Sequence, residues 1–150
     1  DFSRITTPLK KFGAKFYYKT KNKLPLSILG AKSLEGINYL ENKGSAQCKS
    51  SVMLAALNAS GTTSIKAKKS RDHSELLFKY LKIPTKIKKT QNYDFIDIKQ
   101  PTKIKAFNYR IPADISSSAF FIVLTILANN SKLLIKNVNI NHSTTADIQK

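Results

Sequence analysis

The residues best placed to do chemistry form one short stretch, Gly44-Ser45-Ala46-Gln47-Cys48-Lys49-Ser50-Ser51. Small and hydroxyl-bearing side chains are concentrated there, and the apolar run Val52-Met53-Leu54-Ala55-Ala56-Leu57 follows without a break. Polar caps ahead of an uninterrupted apolar run predict a helix from Ser45 to Leu57. The first turn of a helix carries backbone N–H groups with no intrahelical acceptor, and the dipole places partial positive charge there. A first turn furnished with Ser45 and Gln47 would hold an anion, a phosphate or a carboxylate. Cys48 lies in the same turn, where a thiol pKa can be depressed. No His or acid stands near it to form a nucleophile pair, so a small packed side chain is its expected role. Lys49 is expected to be a solvated lysine.

The same design recurs twice. Ser70-Arg71-Asp72-His73-Ser74-Glu75 opens a second helix, with Ser70 as the expected N-cap and Asp72 and Glu75 as acids of the first turn. Leu76, Leu77, Tyr80 and Leu81 are its expected buried face. Taken alone, Arg71 could pair with Asp72 or Glu75 at the surface, a contact worth little. His73 is expected at the helix front in a structural role, because no second site residue accompanies it. Pro112-Ala113-Asp114-Ile115-Ser116-Ser117-Ser118 leads into a very apolar helix, Ala119 to Leu127. Asp114 reads as its N-cap, and Ser116 to Ser118 as capping and packing residues.

The elements that must position these turns can be read in order. Ser3 to Phe12 predicts a helix, with Ile5, Leu9 and Phe12 on one face and Gly13 as its stop. Ala14 to Lys19 and Leu24 to Leu29 predict strands around a turn at Lys21-Asn22-Lys23. Leu34 to Leu40 alternates as one strand, with Gly36 inside it. Thr62 to Ala67, Ile83 to Ile87, Tyr93 to Ile98, Lys103 to Tyr109 and Lys132 to Lys136 are further expected strands. The middle therefore reads strand, helix, strand, helix, strand, strand, after which strand, helix and strand begin again. Ser50-Ser51-Val52-Met53-Leu54 is echoed by Ser117-Ser118-Ala119-Phe120-Phe121, an internal repeat of about seventy residues. Two helices this apolar should be buried on most faces, with sheets around them.

The whole composition narrows the function classes. The 150 residues are 41% hydrophobic, enough for a core, and carry a formal net charge of +17. That charge invites a nucleic-acid reading. Against it, the only arginines are Arg4, Arg71 and Arg110, and the lysines are spread over every segment without a stripe of interleaved aromatics. A Lys-rich solvated surface that attracts anionic metabolites is the reading preferred. Cys48 is the only cysteine, which rules out an internal disulfide framework and leaves the cytoplasm as the expected compartment. The opening Asp1-Phe2-Ser3-Arg4-Ile5 reads as the middle of an element, so the stretch is expected to be part of a larger protein.

Taken together, Gly44-Ser45-Ala46-Gln47-Cys48-Lys49-Ser50, Ser70-Arg71-Asp72-His73-Ser74-Glu75 and Asp114-Ile115-Ser116-Ser117-Ser118-Ala119-Phe120-Phe121 resemble the 5-enolpyruvylshikimate-3-phosphate synthase family. Arg4, Pro8-Leu9, Gly13-Ala14, Pro25-Leu26 and Gly36-Ile37 fall in register with them. The resemblance runs in order from the first residues to about Asn141, and His142-Ser143-Thr144-Thr145 departs from the family's pattern. It implies an α/β (α+β) fold of repeated βαβαββ units with buried helices, the inside-out α/β barrel of the enolpyruvyl transferases, in a two-domain protein. Residues 1–111 would belong to the N-terminal-half globular domain and 112–150 to the start of the second, after a crossover.

The family transfers the enolpyruvyl group of phosphoenolpyruvate to the 5-hydroxyl of shikimate 3-phosphate, by addition and elimination, with release of phosphate and no metal or organic cofactor. The resemblance implies that Ser45, Ala46, Gln47 and Arg71 bind shikimate 3-phosphate, and that Gln47 also touches phosphoenolpyruvate. Asp114 and Arg4 are second-tier candidates, and the family's catalytic acid and base residues would lie outside this stretch. The partners are then small molecules, with neither nucleic acid nor membrane, and a monomer is expected. The competing readings are the related UDP-N-acetylglucosamine enolpyruvyl transferase, whose cysteine loop and sugar-binding signatures are not visible, and a basic nucleic-acid-binding protein.

Overall fold

Residues 2–21 and 23–139 are described by the structure, a computed structural model. The chain divides into two compact units, Asp1–Lys105 and Ala106–Lys150. In the first, α1 (Ser3–Lys11) is followed by β1 (Lys15–Tyr18), β2 (Leu26–Leu29), β3 (Leu34–Glu35), β4 (Asn38–Glu41), α2 (Ala46–Ala56), β5 (Ala59–Ser60), β6 (Thr62–Lys68), α3 (His73–Tyr80), β7 (Thr85–Lys89) and β8 (Tyr93–Lys99). The second carries α4 (Ile115–Leu127) and an isolated parallel bridge between Ala113 and Val138.

The main sheet has the order β4-β6-β8-β7. β4 and β6 are parallel, joined through α2, and the β6–β8 and β8–β7 pairs are antiparallel. With α3 between β6 and β7, the run from β4 to β8 is one complete βαβαββ unit. The α1-β1-β2 segment, whose strands pair antiparallel, repeats the last helix and two strands of such a unit. The core lies on the inner face of the main sheet. Alternation along β6 and β8 turns Ile65, Ala67, Ile96 and Ile98 inward, onto Val52, Met53 and Ala56 of α2, Phe78 of α3 and Phe12 beyond α1. Helix α2 packs on β4, β6 and β8 and against α1.

Several expectations need correction. The single strand Leu34 to Leu40 is two, and its halves join different sheets: β3 pairs with β5, and β4 with β6. Gly36 marks the break, where a Cβ would sit 2.2 Å from the Thr62 carbonyl oxygen, a backbone approach only glycine allows. Helix α3 starts at His73, not Ser70. Asp72 holds the N-cap position without a side-chain cap bond, and the buried Ser70 Oγ has no hydrogen-bond partner among the described residues. Its buried face is Glu75 and Phe78, one helical turn apart, with Leu81 packed at the core's edge. Leu76, Leu77 and Tyr80 are exposed.

The segments Lys103 to Tyr109 and Lys132 to Lys136 form no strand. Helix α4 forms where expected, but Ser118 is its only buried residue, and Phe120 is 81% exposed. The described residues of its unit supply no sheet against which to bury it. Asn22 of the expected turn, and the divergent tail from His142, lie outside the described residues.

Candidate functional site

Strand β4 ends at Glu41, and the next three residues turn the chain into α2. Glu41 is 2% exposed, yet its carboxylate is fully used. Oε1 accepts from the Lys43 N–H at 3.0 Å and Oε2 from the Gly44 N–H at 2.8 Å. Gly44 has φ +69°, and a Cβ there would come within 3.2 Å of the Lys69 carbonyl oxygen. A buried carboxylate thus clasps a left-handed turn that only glycine adopts without strain, and this sets the entry of α2.

Ser45 follows as the N-cap, in extended conformation, and its Oγ accepts from the Cys48 N–H at 3.3 Å. The cap uses a lone pair, so the hydroxyl hydrogen remains available to donate outward. Ala46 and Gln47 occupy the first two helical positions, where an N–H has no intrahelical acceptor. Gln47 is exposed, and Ser45 and Ala46 are partly so. Cys48 is buried, which bears out its packing role.

The second loop, Lys69-Ser70-Arg71-Asp72, leaves the end of β6, the parallel neighbour of β4. The register pairs Glu41 with Ala67, so both loops emerge from the carboxyl ends of adjacent parallel strands. Ligands of sheets with parallel strands settle there. Ion pairs brace this loop. Lys69 Nζ reaches Asp94 Oδ1 at 2.6 Å, and Lys89 Nζ reaches Asp72 Oδ2 at 2.9 Å. That hydrogen bond to Asp72 raises the Lys89 pKa above its ordinary value. Arg71 is exposed and forms no ion pair with another described residue. The acids expected to bind it are engaged elsewhere, Asp72 with Lys89 and Glu75 with Lys49.

The last of these pairs corrects the reading of Lys49. It is completely buried, with Nζ 2.5 Å from Glu75 Oε1, and Glu75 is 2% exposed. Ser50 Oγ and Ser74 Oγ share a hydrogen bond of 2.7 Å, one residue after Lys49 in α2 and one residue before Glu75 in α3. The first turns of α2 and α3 are therefore stitched side by side. Sequence reasoning missed both Glu41 and this ion pair. The available signal was the one charged residue of the helix, a lysine, lying in the first turn, where the dipole disfavours a cation.

Of the remaining candidates, Arg4 is exposed in the first turn of α1. His73 is the exposed first residue of α3. Asp114 is the N-cap of α4 and accepts from the Ser116 and Ser117 N–H groups at 3.0 and 3.3 Å, and from Ser117 Oγ at 2.6 Å. The Ser117 hydroxyl, and then the Ser116 N–H, hold its pKa below the ordinary 3.8. Among the described residues no group of three or more His, Cys, Asp or Glu side chains could hold a metal ion.

The molecule is thus a mixed α/β protein whose βαβαββ unit brings a helix N-terminus, and an arginine with no ion pair among the described residues, to the same end of a parallel strand pair. The model of the EPSP synthase (3-phosphoshikimate 1-carboxyvinyltransferase) family matches residues 2–150, so the match includes the tail that departs from the motif pattern. A 3-phosphoshikimate 1-carboxyvinyltransferase of Bacillus subtilis strain 168 is 40% identical over 147 residues, 97% of this chain and 33% of the relative. That of Thermotoga sp. strain RQ2 is 38% identical over 143 residues, 95% of this chain and 32% of the relative. A solved EPSP synthase of Acinetobacter baumannii superposes with a TM-score of 0.67 at 33% identity, covering 93% of this chain and 31% of that one. The chain belongs to the EPSP synthase family, and it spans about a third of the length of the curated relatives it matches.

Proposed function

We propose that this chain supplies the shikimate 3-phosphate-binding part of an enolpyruvyl transferase of the shikimate pathway. The whole protein would transfer the enolpyruvyl group of phosphoenolpyruvate to the 5-hydroxyl of shikimate 3-phosphate and release phosphate. In this reading the Ser45 hydroxyl and the Ala46 N–H donate to the phosphate of shikimate 3-phosphate, and Arg71 closes on it with its forked guanidinium. Gln47 lies against both substrates. Asp114 and Arg4 are held as secondary candidates, and no residue of this stretch is assigned as the proton donor or acceptor of the chemical step. Residues 1–111 fall to the N-terminal-half domain and 112–150 to the start of the second, in a cytoplasmic monomer.

One observation carries the proposal. The N-terminal turn of α2 and the Arg71 loop leave the carboxyl ends of adjacent parallel strands, and among the described residues Arg71 has no acid partner. The test is a titration of the folded chain with shikimate 3-phosphate, followed by backbone amide shifts, with inorganic phosphate and shikimate as controls. Saturable shifts at Ser45, Ala46, Gln47 and Arg71, much weaker with either control, are expected. A folded chain that stays silent, and remains silent when extended upstream, would overturn the assignment.

A further inference from the structure

Lys49 and Glu75 bear opposite charges inside the core, 26 residues apart in sequence, on two helices whose first turns lie side by side. The local electrostatics do not explain the lysine. It sits in the first turn of α2, where the dipole opposes a cation, whereas Glu75 sits in the first turn of α3, where the dipole favours an anion. Nor is stability the explanation, because two apolar side chains of similar volume would pack there at least as well as a buried ion pair. What the pair supplies is direction. A charge with a single buried partner tolerates one arrangement of its two helices, while an apolar contact can slide.

That choice is visible in α3. Leu76, Leu77 and Tyr80 offer an apolar face as good as the buried one, yet the helix is rotated to put Glu75 on Lys49 and Phe78 in the core. The Ser50–Ser74 hydrogen bond lies alongside. The two helix starts held in this way carry Ser45 to Gln47 on one side and Arg71 on the other. The Lys49 N–H also donates to the Ser45 carbonyl at 3.1 Å, so the buried lysine and the capping serine share one turn.

We infer that Lys49 and Glu75 are positioning residues, which lock the start of α2 to the β6–α3 loop so that Ser45, Ala46 and Arg71 address one phosphate. The inference rests on the phosphate-binding reading above. Its test uses NMR on the 150-residue chain, following the Ala46 and Gln47 amides and the Arg71 side-chain Nε–H during titration with shikimate 3-phosphate. In the parent, both sets should move with a single Kd. In the apolar double variant Lys49→Met/Glu75→Leu, the chain should fold while the two sets part: the α2 amides still respond, the Arg71 signal does not, and affinity falls at least tenfold. Glu75→Gln, which keeps the size but removes the charge, should part them in the same way, and Lys49→Arg, which keeps the pair, should leave them joined. A folded Glu75→Gln or double variant that titrates as the parent does would overturn the inference. A folded parent that shows no saturable shift, either alone or extended upstream, would instead overturn the phosphate-binding reading itself, and this inference with it.

Discussion

Ser45 has two roles, and they can be separated. As an N-cap it satisfies the Cys48 N–H, and as a donor it would reach the phosphate. Replacing an N-cap serine by Ala costs about 1 kcal/mol of stability, whereas Gly costs only a few tenths. Ser45→Ala should therefore lower the unfolding midpoint, and Ser45→Gly should leave it nearly in place. Both should weaken shikimate 3-phosphate, by roughly tenfold if the lost bond to the charged phosphate is worth about 1.5 kcal/mol. Paired melting and binding curves check this, and a Gly variant that binds like the parent would remove the hydroxyl from the site. Asp114 gives a second residue-scale expectation. Its folded pKa lies below 3.8, so the cap it makes is present above the unfolded value and is lost as pH falls through the folded one. Protection of the Ser116 and Ser117 amides from exchange, measured against the intrinsic rate at each pH, should fall at acid pH, below the ordinary carboxylate range, and an Asp114→Asn chain should not share that pH dependence.

At the scale of elements, Gly36 decides how the chain moves from one sheet to the next. The Thr62 backbone occupies the space of any Cβ at that position. Gly36→Ala should therefore force β3 and β4 away from their partners and cost about 1–3 kcal/mol, as overpacked sites do. A denaturant midpoint unchanged from the parent would contradict this. The alternation of Leu34 to Leu40 was legible in the sequence, but the break was not, because it is made by a backbone that arrives from 26 residues further on. Helix α3 holds the same lesson. Its existence follows from its apolar periodicity, while its rotation is decided by the buried partner of Glu75.

For the whole molecule, the packed core of the described residues lies within the first unit, and α4 of the second exposes Phe120, Phe121, Leu124, Ile126 and Leu127. An exposed apolar patch of this kind binds hydrophobic dyes and promotes association. A chain truncated after Lys105 should keep a cooperative thermal transition close to the parent's and lose most of its binding of an apolar fluorescent dye. A truncated chain without a cooperative transition would show that the first unit needs the second.

The sequence by itself determined the caps Ser45 and Asp114 that start α2 and α4, the βαβαββ order from β4 to β8, and the family through motifs that survive in register. These are local properties, set by caps, periodicity and glycine, and the chain expresses them wherever it folds. Only the tertiary structure decided that Leu34 to Leu40 divides between two sheets, that Lys49 is buried on Glu75, and that the acids beside Arg71 are engaged elsewhere. Each depends on residues far apart in the chain meeting in a core, where a buried charge must find its one partner and a backbone its one path.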